Sequence, residues 1–305
     1  MHETRTSGII AERLEGFGFE VHPWQLRWSG GVDLDMLGRT ETLFALSNGH
    51  IGLRGSFEEG EPVDHPGTYL NGFYENRPLP YAEAGFGYPE EGQSIVDVTN
   101  GKIIRLLVDD EPFDVRYGEL HSHERVLDLR AGTLTRTVEW TAPSGKSVKV
   151  NSTRLVSLAQ RGLAAVEYIV EAVDDVLLTV QSELVANEDQ PAQSDDPRVA
   201  AVLNKPLEAV QHEVSERGAM LIHRTRASDL TMAAAMDQPS GCSHAGMNAA
   251  AAHSTVMEIR PGHLGKARRK TKMSGNSSHM KSCAWTMSPN QSRHSPVSQS
   301  QVGIQ

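Results

Sequence analysis

Residues 41–75 read ETLFALSNGHIGLRGSFEEGEPVDHPGTYLNGFYE. Asn48, Gly49, Gly52 and Gly55 punctuate an apolar series of Ile51, Leu53 and Phe57. Glycine is needed where a backbone takes positive φ or passes close to another segment. Three glycines at three-residue spacing in an apolar run suit short strands that turn tightly inside a packed β-structure. Arg54 lies between them and is expected to be largely buried. A buried guanidinium requires a carboxylate or carbonyl partner.

Outward from this stretch, strand patterns dominate. Leu134, Val138, Trp140 and Ala142 share one parity, and Thr133, Thr135, Thr137, Glu139 and Thr141 share the other. That is period-2 alternation. Pro143-Ser144-Gly145 turns the chain, and Val148 and Val150 alternate with Lys149 and Asn151 on the return. Ile104, Leu106 and Val108 run into Asp109-Asp110-Glu111-Pro112, a second hairpin signal. Ala164, Val166, Tyr168 and Val170 share a face. Val176 to Leu184 and Met220 to Thr225 read as further strands, and Leu230 to Met236 as a helix or a strand. One short helix is expected between Pro197 and Ala209. Residues 186–218 read as a polar excursion, and residues 1–19 as a loose lead-in. Many short strands with turns between them point to a sandwich or barrel.

The last 68 residues, 238–305, differ in kind. They hold eight Lys/Arg against one acidic residue, Glu258, with twelve serines and five of the thirteen histidines. Their charge is +7, against −10 for the whole chain, which leaves −17 on residues 1–237. They show no sustained period of 2 or 3.6. A disordered tail is expected, because such a segment buries too little apolar surface to offset its ordering entropy. Three readings of it stand open: a solvated C-terminus, a basic arm built on Lys266 to Lys272, or a product translated in a shifted frame. The two cysteines, Cys242 and Cys283, both fall here and form neither a disulfide framework nor a zinc spacing.

The acidic balance argues against nucleic acid as a partner. No apolar run reaches the roughly 18 residues of a membrane span. The N-terminus lacks the apolar core of a signal peptide. A cytoplasmic location, with no membrane partner, is the expectation.

Four ordered motifs carry a family resemblance. Glu41-Thr42-Leu43-Phe44 through Asn48-Gly49-His50-Ile51-Gly52-Leu53-Arg54-Gly55, with Phe57-Glu58-Glu59, resembles the opening motif of glycoside hydrolase family 65. Gly67-Thr68-Tyr69-Leu70-Asn71-Gly72-Phe73-Tyr74 resembles its next signature. Leu127 to Arg136 and Arg154-Leu155-Val156-Ser157 resemble a third and a fourth. The likeness spans about 20–172, thins after about 185 and stops near 237. It implies a mainly β fold, a large antiparallel β-sandwich of the galactose-mutarotase-like super-sandwich kind over 20–237, incomplete at its C-terminal end. In the family this sandwich precedes an (α/α)6-barrel.

The resemblance also implies a chemistry. Family members include maltose, trehalose and kojibiose phosphorylases, which cleave α-linked glucose disaccharides with inorganic phosphate. Others hydrolyse with water. A glutamate general acid protonates the leaving oxygen. That acid and the phosphate-binding residues lie on the barrel, which this chain is not expected to reach. No catalytic residue, cofactor or metal is therefore expected within it, and the isolated chain is expected to be inactive. Complete members are often homodimers. Arg54, Tyr69, Asn71, Phe73 and Tyr74 are the candidates for a carbohydrate contact or a domain interface, since aromatic faces stack on sugar rings. The alternative is a free-standing carbohydrate-binding or partner-docking module.

Two local clusters read as ordinary surface. Glu58, Glu59, Glu61 and Asp64 are expected in a solvated loop. His121-Ser122-His123-Glu124 lacks a third metal ligand and is expected at an exposed loop or strand edge.

Overall fold

The computed structural model describes residues 18–78, 87, 90–188, 203, 205–214, 218–237, 255–258, 267–274 and 283–290. The N-terminal third holds β1 (Phe19–His22), β2 (Gln25–Ser29), α1 (Leu37–Leu43), β3 (Leu46–Ser47), β4 (Ile51–Leu53), β5 (Thr68–Leu70), β6 (Tyr74–Pro78) and β7 (Glu91–Ile95). The middle holds β8 (Asn100–Val108), β9 (Glu111–Pro112), β10 (Glu119–Asp128), β11 (Thr133–Thr141), β12 (Ser147–Val156), β13 (Leu163–Ala172) and β14 (Leu177–Val185). Then come β15 (Leu207–Val214), β16 (Gly218–Thr225), β17 (Thr231–Asp237), β18 (Thr255–Glu258), β19 (Ala267–Ser274) and β20 (Cys283–Asn290).

A ten-stranded sheet runs in the order β1-β2-β10-β11-β12-β13-β20-β17-β16-β15, and a five-stranded sheet in the order β18-β19-β14-β8-β9. The strands β3-β4-β5 and the pair β6-β7 form two small sheets. The expected antiparallel sandwich is the fold observed. Its hairpins close by the expected turns. Asp109 and Asp110 both adopt positive φ between β8 and β9, as a two-residue type I′ turn requires. Gly145 takes φ +85° between β11 and β12, where Ala142 N–H donates to the Lys146 carbonyl at 2.7 Å.

The period-2 pattern sends Val138, Trp140, Val148, Val150, Val166 and Val170 inward, onto Ile104, Leu106, Leu178 and Val180 of the smaller sheet. A second cluster gathers Phe19, Phe44, Ile51, Leu53, Leu70 and Phe73 with Leu127, Leu134, Leu221 and Met232. Burial of such side chains stabilises by about 1.5–3 kcal/mol each.

Two expectations are corrected here, and two elements are added. Glu41 to Leu43 belongs to helix α1, for which no expectation was made, and Thr40 Oγ1 donates to the Leu37 carbonyl inside it. At seven residues this helix is too short to show a hydrophobic period. The helix expected between Pro197 and Ala209 is absent from the part described: Leu207 to Ala209 open strand β15, and most of the remainder lies outside the described residues. Residues 186–218 are therefore not wholly an excursion. Of the two readings open for Leu230 to Met236, the strand is the one observed: β17 runs over Thr231–Asp237 and pairs antiparallel with β16.

Within 238–305 three segments depart from the expected disorder. Strand β20 inserts between β13 and β17, while β19 pairs with β14, and β18 with β19. Ladder hydrogen bonds require only backbone, so a segment without hydrophobic period can join a sheet whose other strands hold the core. The rest of 238–305, with Cys242, lies outside the described residues.

No helix among the described residues is long and apolar enough to cross a membrane.

Candidate functional site

Arg54 follows β4 and turns its guanidinium back onto α1. Its Nη2 donates to the Gly38 carbonyl at 2.9 Å and to Glu41 Oε2 at 3.2 Å. The expectation of a carbonyl or carboxylate partner is met by both. The fully buried Glu41 carboxylate also accepts from the N–H groups of Asp64 and His65, at 3.0 and 3.1 Å. It thereby pins the 61–67 loop against the helix. Gly67 is required here, because a Cβ would fall 2.1 Å from Arg54 Cδ at φ +55°.

Tyr69 stands beside this anchor on β5. Its ring stacks on His65 with centroids 6.4 Å apart, and its hydroxyl lies 2.9 Å from His65 Nε2. The same nitrogen is 2.9 Å from Asp97 Oδ2. Burial, then the Asp97 carboxylate, pushes the Tyr69 hydroxyl up to about 12. It stays a neutral donor at any working pH. Lys102 closes the inner side by donating to the Pro66 and Gly67 carbonyls. Burial, then Arg154, pushes its ammonium down to about 7.

The other three candidates stand apart from this cluster. Asn71 is exposed and donates from Nδ2 to the Gly49 carbonyl at 3.0 Å, which staples the 48–50 turn. Phe73 is buried in the hydrophobic core. Tyr74 is half-buried on β6, and its carbonyl accepts from Ser228 Oγ at 2.6 Å. Trp24 is exposed in the β1–β2 turn, Trp28 is buried, and Tyr81 lies outside the described residues.

The acidic cluster is split by the fold. Glu61 and Asp64 are solvated as expected. Glu58 and Glu59 are not: residues 54–60 enter the sandwich and bury both carboxylates. Glu58 Oε1 accepts from Arg154 Nη2 at 2.6 Å, and Glu58 Oε2 from Arg136 Nη1 at 3.3 Å. Glu59 accepts from Arg136 Nη1 at 2.7 Å and from the Tyr168 hydroxyl at 2.6 Å. Burial would raise the Glu58 carboxyl, but Arg154, Arg136 and Arg125 outweigh it and hold the group at about 2. Both carboxylates are sealed from substrate.

His123 is corrected likewise. Strand β10 lies between β2 and β11, and a register shift between Leu120 and Ser122 separates the two histidines. His121 is exposed and lies 2.7 Å from Thr141 Oγ1, whereas His123 is buried and accepts at Nε2 from Arg136 Nε at 3.1 Å. Burial, then Arg136 and Arg125, pushes its imidazole down to about 2.

These interior groups left a trace in the sequence. Arg136 occupies the inward parity between Leu134 and Val138, the one gap in that apolar series. Arg154 lies likewise between Ser152 and Val156, and Arg125 between His123 and Leu127. A charge on the core parity of a strand is the signal for a buried pair.

The description glycosyl hydrolase family 65, N-terminal domain, matches residues 29–266. The match runs past residue 237, where the resemblance in the motifs ends. An uncharacterized glycosyl hydrolase of Mycobacterium tuberculosis (strain CDC 1551 / Oshkosh) is 69% identical over 220 residues, 72% of this chain and 28% of the relative. The alpha,alpha-trehalose phosphorylase of Thermoanaerobacter brockii is 36% identical over 225 residues, 72% of this chain and 29% of that enzyme. The chain thus spans under a third of these curated relatives. A solved structure from human microbiome, assigned to the kojibiose phosphorylases, superposes with a TM-score of 0.72 at 18% identity. It covers 90% of this chain and 33% of the other.

Proposed function

The chain belongs to glycosyl hydrolase family 65 through that family's N-terminal domain, and from this premise we propose that it is the non-catalytic β-sandwich of an α-glucoside phosphorylase or hydrolase. The whole protein would act in the cytoplasm on an α-linked glucose disaccharide, with phosphate or water as nucleophile. Cleavage would reside in a helical domain and not in the residues present here.

One observation carries this reading. Glycoside cleavage requires a carboxylic acid that reaches the leaving oxygen and can give up a proton near neutral pH. The adjacent pair Glu58 and Glu59 is the densest carboxylate motif in the family's opening signature, yet it is buried and bound to Arg136, Arg154 and Tyr168. An acid held at about 2 by arginines cannot donate a proton at pH 7. The names of the relatives support the substrate class: alpha,alpha-trehalose, maltose and kojibiose phosphorylases are among them. Phosphate-dependent cleavage of maltose, trehalose and kojibiose by the purified chain is the test, and no turnover by folded protein is expected.

A second reading is a carbohydrate- or partner-binding module. The half-exposed Tyr69 beside Arg54 and Asp64 favours it. Titration calorimetry with the same three disaccharides distinguishes the two, since a purely structural domain shows no saturable heat.

A further inference from the structure

One rung of the large sheet crosses five strands and is polar on four of them. Trp28 of β2 pairs with Arg125 of β10, Arg125 with Arg136 of β11, Arg136 with Ser152 of β12, and Ser152 with Tyr168 of β13. Arg125, Arg136, Ser152 and Tyr168 are all buried. Two arginines therefore stand directly opposite each other inside the sandwich, an arrangement that repels even at a surface. Both guanidinium centres lie over the Phe57 ring, at 5.2 and 4.6 Å.

The charges around this rung do not balance. Among the described residues, the guanidinium groups of Arg125, Arg136 and Arg154 have two carboxylates in their midst, Glu58 and Glu59, with Glu41 acting on Arg125 from further off. The next carboxylate, Glu41, is engaged by Arg54 and by two backbone N–H groups. Among the described residues Arg125 hydrogen-bonds no carboxylate; its Nη2 donates to the Gly55 carbonyl and its other face meets Phe44. The hydrogen bonding is short in the same sense. Arg125 Nε and Nη1, Arg136 Nη2, Arg154 Nε and Ser152 Oγ are buried without hydrogen-bond partners among the described residues. Arg136 Nε donates to His123 Nε2, so neutral His123 carries its proton on Nδ1, and that atom is unpartnered too. The shortfall is thus almost wholly of acceptors. An uncompensated buried charge and orphaned donors are both costly.

We propose that this rung binds one small monovalent anion of the halide class, held by the free N–H groups of Arg125 and Arg136 with Ser152 beside them. The ion would supply the missing negative charge and the missing acceptor together. The charge excess distinguishes it from a water molecule, which would supply only the acceptor. Burial pushes the Arg125 guanidinium down to about 9 against the pull of Glu58, and its neighbours Arg136 and Arg154 push the same way as burial.

Two measurements on the full chain test this. Crystals grown in sodium bromide should give an anomalous peak in contact with the Arg125 guanidinium. Thermal unfolding in potassium chloride should show a saturable rise over potassium gluconate at equal ionic strength, of about 3–6 °C at ten times the half-binding concentration. The Arg125→Met variant should lose that rise. An ordered water without anomalous signal at the rung would overturn the proposal, as would a Tm indifferent to chloride in the parent chain. The bromide experiment needs no variant, so it decides even if Arg125→Met does not fold.

Discussion

Glu58 Oε1 and Arg154 Nη2 meet at 2.6 Å inside the sandwich, ninety-six residues apart in the chain. That bond ties the glycine-rich opening motif to the third long strand of the main sheet. The motif therefore acts as an internal strut. Removing one partner of such a pair leaves a buried charge uncompensated.

Arg154→Met should cost about 3–5 kcal/mol of unfolding free energy, read by urea titration. Adding Glu58→Leu should recover part of that loss, because the orphaned carboxylate goes with it. Additive costs in the double variant would argue that the two side chains do not interact.

Acid should unfold the chain in two stages. His223 is buried and burial holds it at about 4, below the ordinary value of 6.5. An unfolded chain then binds a proton that the folded one refuses, so stability falls as pH drops from about 6.5 towards 4. Glu58 acts lower. Its folded value of about 2 lies beneath the ordinary 4.5, so its contribution is present above about 4.5 and is lost as pH falls towards 2. Buried His123, held at about 2, adds to the same fall from about pH 6.5 downward. His223→Gln should therefore make the fall between about pH 6.5 and 4 shallower without abolishing it, in unfolding curves collected from pH 7 to pH 3.

Two glycines of the opening motif should respond oppositely. A Cβ on Gly55 would lie 2.6 Å from Phe44 Cβ and 2.8 Å from the Phe44 carbonyl oxygen. Gly55→Ala should therefore destabilise by about 1–3 kcal/mol or more. At Gly52 the nearest atoms are 3.8 and 3.9 Å away, so Gly52→Ala should be tolerated. Equal urea midpoints for the two variants would contradict this.

Glu75 should hold the turn between β16 and β17. Its carboxylate accepts from the N–H groups of Ala227 and Ser228, at 3.0 and 2.7 Å. Burial would raise this carboxyl, but those N–H groups outweigh it and lower it. Glu75→Ala should speed amide exchange at Ala227 and Ser228 while leaving the β11–β12 hairpin protected.

The sandwich was legible because alternation is local. Leu134 to Ala142, and Val148 with Val150, announce a hairpin without reference to the rest of the chain. What the sequence concealed depends on distant partners. Glu58 and Glu59 read as solvated, since acidic residues near glycine usually are, and only Arg136, Arg154 and Tyr168 overturn that. The inward parity of Arg136 was the available clue. Helix α1 was hidden by its seven residues. Strands β18 to β20 were hidden because backbone pairing leaves no mark on side-chain pattern. Of the five candidate residues, Arg54 was legible as a buried ion pair, whereas the partners of Tyr69, namely His65 and Asp97, were not.

The most direct test of the central claim is a cleavage assay on purified, folded chain with maltose, trehalose and kojibiose, with and without inorganic phosphate. A non-catalytic β-domain gives no glucose 1-phosphate and no glucose above background. Turnover that a single substitution within residues 1–237 abolishes, with folding intact, would contradict the account.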